Sequence, residues 1–207
     1  MTFISNKWIK MIRIVYGRDR YRDLLAGLVD EGDTVIEIGP HLGVSTRAVA
    51  LRAKKVFAID KSEQAERAAK TFPDNVEFVK GDARFFETVN RVLRLTKSCD
   101  VLAVDMGGGR FPDTVFKVWA VWSGVFQPRE SVIRNRGLGE FLKRAKIDDP
   151  SLVEYLEKGP AWTEKAKAKK KGVDGPNEKE KGWLSQCGRK SPRQLQEGME
   201  ELKNWML

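Results

Sequence analysis

Four short apolar runs, each closing on an acid or leading into a glycine loop, constrain this chain more than any other feature. They are Thr34-Val-Ile-Glu-Ile-Gly, Lys55-Val-Phe-Ala-Ile-Asp, Val76-Glu-Phe-Val-Lys-Gly-Asp and Cys99-Asp-Val-Leu-Ala-Val-Asp. Helical patterns separate them: Ser45 to Ala53, where Ser45 or Thr46 can cap, Ser62 to Lys70 with Ser62 as cap, and Phe86 to Leu95. A helix with Leu24, Leu25 and Leu28 on one face precedes the first run and stops before Gly32. After the fourth run a long helix around Val115 to Val125, a fifth strand at Glu130 to Asn135 and a helix over Leu138 to Ala145 continue the alternation. Strands alternating with helices at this spacing need crossover connections, which only a parallel sheet allows. The predicted fold is therefore α/β, a doubly wound, mostly parallel sheet with helices on both faces.

In such sheets ligands bind outside the carboxyl ends of the strands. Those ends carry Glu37 with the loop Gly39-Pro-His-Leu-Gly43, then Asp60, Asp82 and Asp105, spaced 22 or 23 residues apart. One acid per strand end suits a nucleoside-like ligand lying across the sheet edge. Asp60, at the end of the second run, is placed to accept from ribose hydroxyls. The strict G-x-G-x-x-G dinucleotide fingerprint is absent, because His41 stands where a middle glycine is common.

The 207 residues carry a formal charge of +9. Ten of the 38 Lys and Arg residues fall between positions 158 and 190, against four acids there, so most of the excess sits in one segment and the body is only mildly basic. We expect a domain over 1–150 and a lysine-rich C-terminal extension over 151–207. The cluster at 165–171 is either a phosphate-tracking arm for RNA or a solvated linker. Trp162, Trp183 and Trp205 flank it. Cys99 and Cys187 are too few and too far apart for a disulfide framework, and a single histidine leaves little for a catalytic triad or a histidine metal site. No apolar run is long enough to span a membrane and no targeting segment is evident, so a cytoplasmic protein is expected.

Taken as an ordered set, Val35-Ile-Glu-Ile-Gly-Pro-His-Leu-Gly-Val-Ser-Thr, Val56-Phe-Ala-Ile-Asp, Val76-Glu-Phe-Val-Lys-Gly-Asp-Ala and Asp100-Val-Leu-Ala-Val-Asp resemble the class I S-adenosylmethionine-dependent methyltransferases over about residues 20–145. The resemblance implies the Rossmann-like methyltransferase fold and S-adenosylmethionine as cofactor. By position, it puts Gly39 and Gly43 beside the methionine part, with Glu37 supporting the amino group. Asp60 would hold the ribose hydroxyls, Asp82 the adenine amino group, the Ala83 N–H the ring, and Asp105 would face the methyl-donor centre. A looser similarity to the catechol and caffeoyl-CoA type O-methyltransferases breaks where those enzymes hold a metal with an Asp-Asn pair. This chain has Arg134-Asn135 there, so no metal is expected.

Methyl transfer needs positioning more than covalent machinery. The groups able to take a proton are Asp105 and His41, the latter readable equally as a loop residue. Asp105-Met-Gly-Gly-Gly-Arg110 is not the Asn/Asp-Pro-Pro-Tyr/Phe loop of enzymes that methylate exocyclic base amines, which speaks against adenine-N6 or guanine-N2 chemistry of that type. Arg110, Arg134 and Arg136, with Arg129, lie close in sequence to the last strand ends and would bind an anionic acceptor if they line the mouth. Trp119 and Trp122 read as a sheet-packed face or as a stacking platform. The expected acceptor is RNA, tRNA or rRNA. The alternatives are a small acidic metabolite or protein side chain, and a non-catalytic protein that binds a nucleotide cofactor.

Overall fold

The computed structural model describes residues 11–107 and 110–153. The chain divides into two compact units, Met1–Lys143 and Arg144–Leu207. The lysine cluster at 165–171, Cys187 and the three flanking tryptophans lie outside the described residues, as does most of the extension expected from residue 151.

The first unit runs β1 (Met11–Val15), α1 (Arg18–Leu28), β2 (Thr34–Ile38), α2 (Val44–Ala50), β3 (Lys55–Asp60), α3 (Glu63–Ala69), β4 (Val76–Lys80), α4 (Phe86–Leu95), β5 (Val101–Val104), α5 (Pro112–Phe126) and β6 (Glu130–Arg134), before α6 (Arg136–Arg144). All pairings are parallel and the order is β1-β6-β5-β2-β3-β4. The alternation expected from sequence holds. Only β1 escaped it: a five-residue strand on the sheet edge, with Met11 and Ile12 exposed, whose Met-Ile-Arg-Ile-Val pattern is too short to separate from the preceding sequence.

Pleating sorts the apolar residues onto two faces. Val35, Val56, Val101, Ala103 and Val132 pack under Tyr21, Leu25 and Val29 of α1 and Val49 and Ala50 of α2. The alternate residues Ile36, Ile38, Phe57, Ile59, Leu102, Val104 and Ile133 are buried too, matched by the buried faces of α4 and α5, among them Val89, Val92, Val118, Trp122 and Phe126. A strand buried on both sides must be a near-continuous apolar run, which is why these stretches stand out in the sequence.

Winding reverses between β2 and β5. From β2 the chain builds outward through β3 and β4 on one side, then returns through β5 and β6 on the other, where the earlier strand β1 forms the edge. Such a switch opens a crevice at the strand ends, here between Ile38 and Val104, which are register partners. Just beyond them the two strands' extensions touch: a Cβ on Gly39, whose φ is +83°, would collide with the Asp105 carbonyl oxygen. This glycine is required by the close approach of β2 and β5 as much as by any ligand.

Candidate active site

The crevice holds a cavity of about 640 Å³, a size suited to a nucleoside cofactor. Its wall is built from the strand ends in sheet order, with Gly39 to Leu42, Asp60 to Ser62, Gly81 to Arg84 and Asp105 to Gly107 contributing, and α1 closing one side with Arg18, Tyr21 and Arg22.

Asp60 meets the geometry expected of a ribose acid. Its Oδ1 accepts the Ser62 N–H at 2.8 Å and its Oδ2 the His41 N–H at 3.3 Å, so each oxygen is oriented by one backbone donor and keeps acceptor capacity toward the cavity. The His41 contact is made by a loop residue held in the left-handed region at φ 50°. The imidazole itself turns to α3, where Nε2 lies 3.0 Å from Gln64 Oε1.

Asp82 lines the cavity but is already engaged. Arg84 grips it through Nε at 2.9 and 3.1 Å and through Nη2 at 2.6 Å, and Lys61 adds a contact at 3.0 Å. The Arg84 guanidinium holds the carboxyl well below the usual carboxylate range, against the opposing effect of partial burial. Ala83 is anchored from behind, where the buried Trp122 indole N–H donates to its carbonyl at 2.9 Å. Trp122 is therefore a core residue, not a stacking platform, and it fixes the loop that carries Asp82 and Ala83.

Glu37 lies behind the cavity wall. It is 1% exposed, and its two oxygens accept from Ser45 Oγ at 2.5 Å and Thr46 Oγ1 at 2.6 Å. Burial pushes its pKa up, the two hydroxyl bonds opposing. Its position on the α1/α2 face of β2 follows from strand alternation. The residues expected to cap α2 thus spend their hydroxyls on Glu37, and Gly43, at φ 72°, occupies the cap position without a side chain to contribute. Gly43 is not on the cavity wall either; a Cβ there would strike the Phe72 ring. Direct contact of Glu37 and Gly43 with a ligand was the expectation from resemblance, and neither is among the residues that line the cavity.

The arginines sort differently from their order in the sequence. Arg134 reaches the cavity, paired to Asp105 with Nη1 at 3.0 and 2.9 Å from the two carboxylate oxygens. Arg110 and Arg136 are exposed and off the wall, Arg136 bonded to Glu140 at 2.6 Å, because α6 starts immediately after β6 and turns that side chain to solvent. Arg129 sits at the amino end of β6, the far edge of the sheet, held by Asp33 at 2.7 and 2.9 Å. Asn135 is buried and caps α6, accepting the Leu138 N–H at 2.9 Å. Among the described residues no group of His, Cys, Asp and Glu is arranged to hold a metal.

Cations missed in the sequence join Arg134 on the cavity wall: Arg18 and Arg22 of α1, Lys61 directly after Asp60, and Arg84 directly after Ala83. Lys61 and Arg84 were findable as immediate neighbours of strand-end residues. Tyr21, 1% exposed and on the wall, is hidden in the sequence because the leucines of α1 dominate its helical pattern.

Local sequence similarity points to one group of proteins. Over 65 residues the chain is 45% identical to the Probable ribosomal RNA small subunit methyltransferase A of Thermococcus kodakarensis, covering 30% of this chain and 23% of that one. Over 62 residues it is 44% identical to Ribosomal RNA small subunit methyltransferase A of Rhodopseudomonas palustris, covering 28% and 22%. The match thus spans about a quarter of the length of these relatives. No family profile matches the chain. Among solved structures, an rRNA methylase from Streptococcus thermophilus aligns with a TM-score of 0.43 at 16% identity, over 61% of this chain and 78% of that one. Trm5b from Pyrococcus abyssi aligns at 0.39 and 18%, over 49% and 29%. The parallel topology, with its cavity at the winding reversal, is a Rossmann-like arrangement. These local matches agree with the resemblance to S-adenosylmethionine-dependent methyltransferases read from the strand-end motifs.

Proposed function

We propose that the protein is an S-adenosylmethionine-dependent methyltransferase acting on RNA. The observation that carries this reading is the cavity itself: Asp60, Asp82 and Asp105 line one 640 Å³ space from three strand ends beside the Gly39 loop. The residues present fit the cofactor. Asp60 would take the ribose hydroxyls, Asp82 and the Ala83 N–H the adenine edge, and the Gly39 loop with Asp105 the amino-acid and sulfonium end. The cofactor, when bound, supplies an electrophilic methyl group on sulfur. The chain's part is to hold the acceptor in line and exclude water. Asp105 and His41 are the wall residues able to take an acceptor proton, each already holding a partner, Arg134 and Gln64.

Two observations support RNA as the acceptor. The relatives matched locally are named as ribosomal RNA methyltransferases. Lys61 and Arg84, at the cavity rim, keep 61% and 47% of their side chains exposed, where they can meet backbone phosphates, and the sequence carries further positive charge in the lysine cluster at 165–171. Transfer of labelled methyl from the cofactor to total RNA tests the reading. A ribonuclease-sensitive product is expected, with a raised KM for RNA when Lys167, Lys169, Lys170 and Lys171 are changed to Gln. Label surviving ribonuclease would assign a small or protein acceptor. Absence of S-adenosylhomocysteine binding in calorimetry would remove the cofactor assignment.

A further inference from the structure

The loop from Gly39 to Gly43 takes a left-handed turn at Gly39, at His41 and again at Gly43, with φ of 83°, 50° and 72°. Glycines are free to follow many other paths, so this one has to be gripped from outside. Arg47, one turn into α2, supplies the grip. Its Nη1 donates to the Leu42 carbonyl at 2.8 Å and to the Gly43 carbonyl at 3.1 Å, while Nη2 donates to the Ala68 carbonyl at 3.3 Å and to Thr71 Oγ1 at 2.6 Å. The first two acceptors belong to the loop, the other two to the last turn of α3 and the residues just after it. One planar guanidinium therefore bridges loop and helix, using the fork of donors that an ammonium lacks. The same group stands 5.2 Å over the Phe72 ring, and that ring occupies the place a Cβ on Gly43 would take, so Gly43, Phe72 and Arg47 interlock. Arg47 itself is half-buried and is not among the residues lining the cavity. The loop it holds is: Gly39 to Leu42 form part of the wall, and the His41 N–H orients Asp60.

We propose that Arg47 is a positioning residue: it ties the Gly39–Gly43 loop to α3, so that this part of the wall, and the His41 N–H that orients Asp60, are in place before a ligand arrives. Arg47 touches no ligand and acts through the loop. A loop ordered in advance need not be ordered during binding, and that saving is what Arg47 contributes to affinity. The assignment rests on the cofactor reading above, in which the loop meets the ligand.

Two variants of the full chain test it. Arg47→Met keeps an apolar stem beside Phe72 and removes the guanidinium bonds. Arg52→Gln is the comparison, because Arg52 lies just beyond α2 and donates to the Ala26 carbonyl of α1 at 3.2 Å, not to the loop. Calorimetry with S-adenosylhomocysteine should show about tenfold weaker binding by Arg47→Met, the cost of ordering one loop during binding, and a change of less than about twofold for Arg52→Gln. Hydrogen exchange of the free proteins should be faster at the amides of His41 to Gly43 in Arg47→Met alone, with protection restored by saturating S-adenosylhomocysteine. Equal affinity of Arg47→Met and wild type overturns the assignment. So does an equal loss in Arg52→Gln, which would make the effect one of general stability. A tenfold loss without faster exchange in the loop also overturns it, by placing the guanidinium on the ligand. Wild type failing to bind S-adenosylhomocysteine would remove the cofactor reading alone. Exchange of the ligand-free loop would then decide the role of Arg47, faster exchange in Arg47→Met supporting it and unchanged exchange overturning it.

Discussion

Arg134 closes on Asp105 beside the winding reversal, Nη1 reaching both carboxylate oxygens at 3.0 and 2.9 Å, with about a fifth of each side chain exposed. The pair joins the ends of β6 and β5, and Arg134 Nε also donates to the Tyr16 carbonyl after β1, so one guanidinium ties three strands together at the cavity floor. This arginine organises the site and is not a freely available anion receptor.

Breaking that pair should cost more than an ordinary surface ion pair, because the remaining charge is largely desolvated. Arg134→Met is expected to lose about 1–3 kcal/mol, and pairing it with Asp105→Asn should recover much of the loss. A double-mutant cycle by urea denaturation measures this. A coupling energy of zero would show that the two side chains are independently solvated.

Glu37 should make stability depend on pH in the sense opposite to a salt-bridged acid. Its folded pKa is raised, chiefly by burial, so in the interval above the ordinary carboxylate range the folded chain holds a proton that the unfolded chain releases. The stabilisation is complete below the unfolded pKa and is lost as pH rises through the folded one. Relative to Glu37→Gln, wild type should therefore lose melting temperature as pH rises above the ordinary carboxylate range. Parallel curves for the two proteins would mean that Glu37 ionises as readily folded as unfolded.

Two glycines with similar backbone angles separate strain from collision. Gly32 has φ +95° with open space where a Cβ would point, whereas Gly39 has φ +83° and the Asp105 carbonyl in the way. Gly32→Ala should cost about 1 kcal/mol and leave ligand binding intact. Gly39→Ala should cost roughly 3 kcal/mol or more and weaken binding, since β2 and β5 must part. Equal melting temperatures for the two variants would contradict the close approach.

Asp82 predicts an asymmetry within its own ion cluster. An adenine amino group must share a carboxylate that Arg84 and Lys61 already hold. Asp82→Asn should weaken S-adenosylhomocysteine about tenfold, while Arg84→Ala should bind at least as tightly as wild type. Weaker binding by Arg84→Ala would place the guanidinium itself on the ligand.

Much of this was legible one residue at a time. β2, β3 and β5 were visible because strands covered on both faces must be apolar throughout, and Ser62 reads as a cap because its hydroxyl has a local N–H to serve, that of Ala65 at 3.2 Å. Ser45 and Thr46 look the same in sequence, yet their hydroxyls go to Glu37 eight and nine residues back. Nothing local distinguishes a helix cap from a hydroxyl serving a buried carboxylate in the next layer. Arg129 and Arg134 are five residues apart, the length of one strand, and so stand at opposite edges of the sheet. A list of arginines near strand ends cannot tell those edges apart.

By itself the sequence determined the alternation of elements, the strand-end acids and the uneven placement of positive charge, since periodicity and composition act over a few neighbouring residues. Only the tertiary structure decided which acids line the cavity, which stands behind it, and which cations meet them. Those outcomes depend on strand order and on contacts between residues about a hundred positions apart, such as Arg134 with Tyr16 and Arg129 with Asp33. The winding reversal between β2 and β5 brings distant segments together, and the low-dielectric interior it creates gives each pairing its strength.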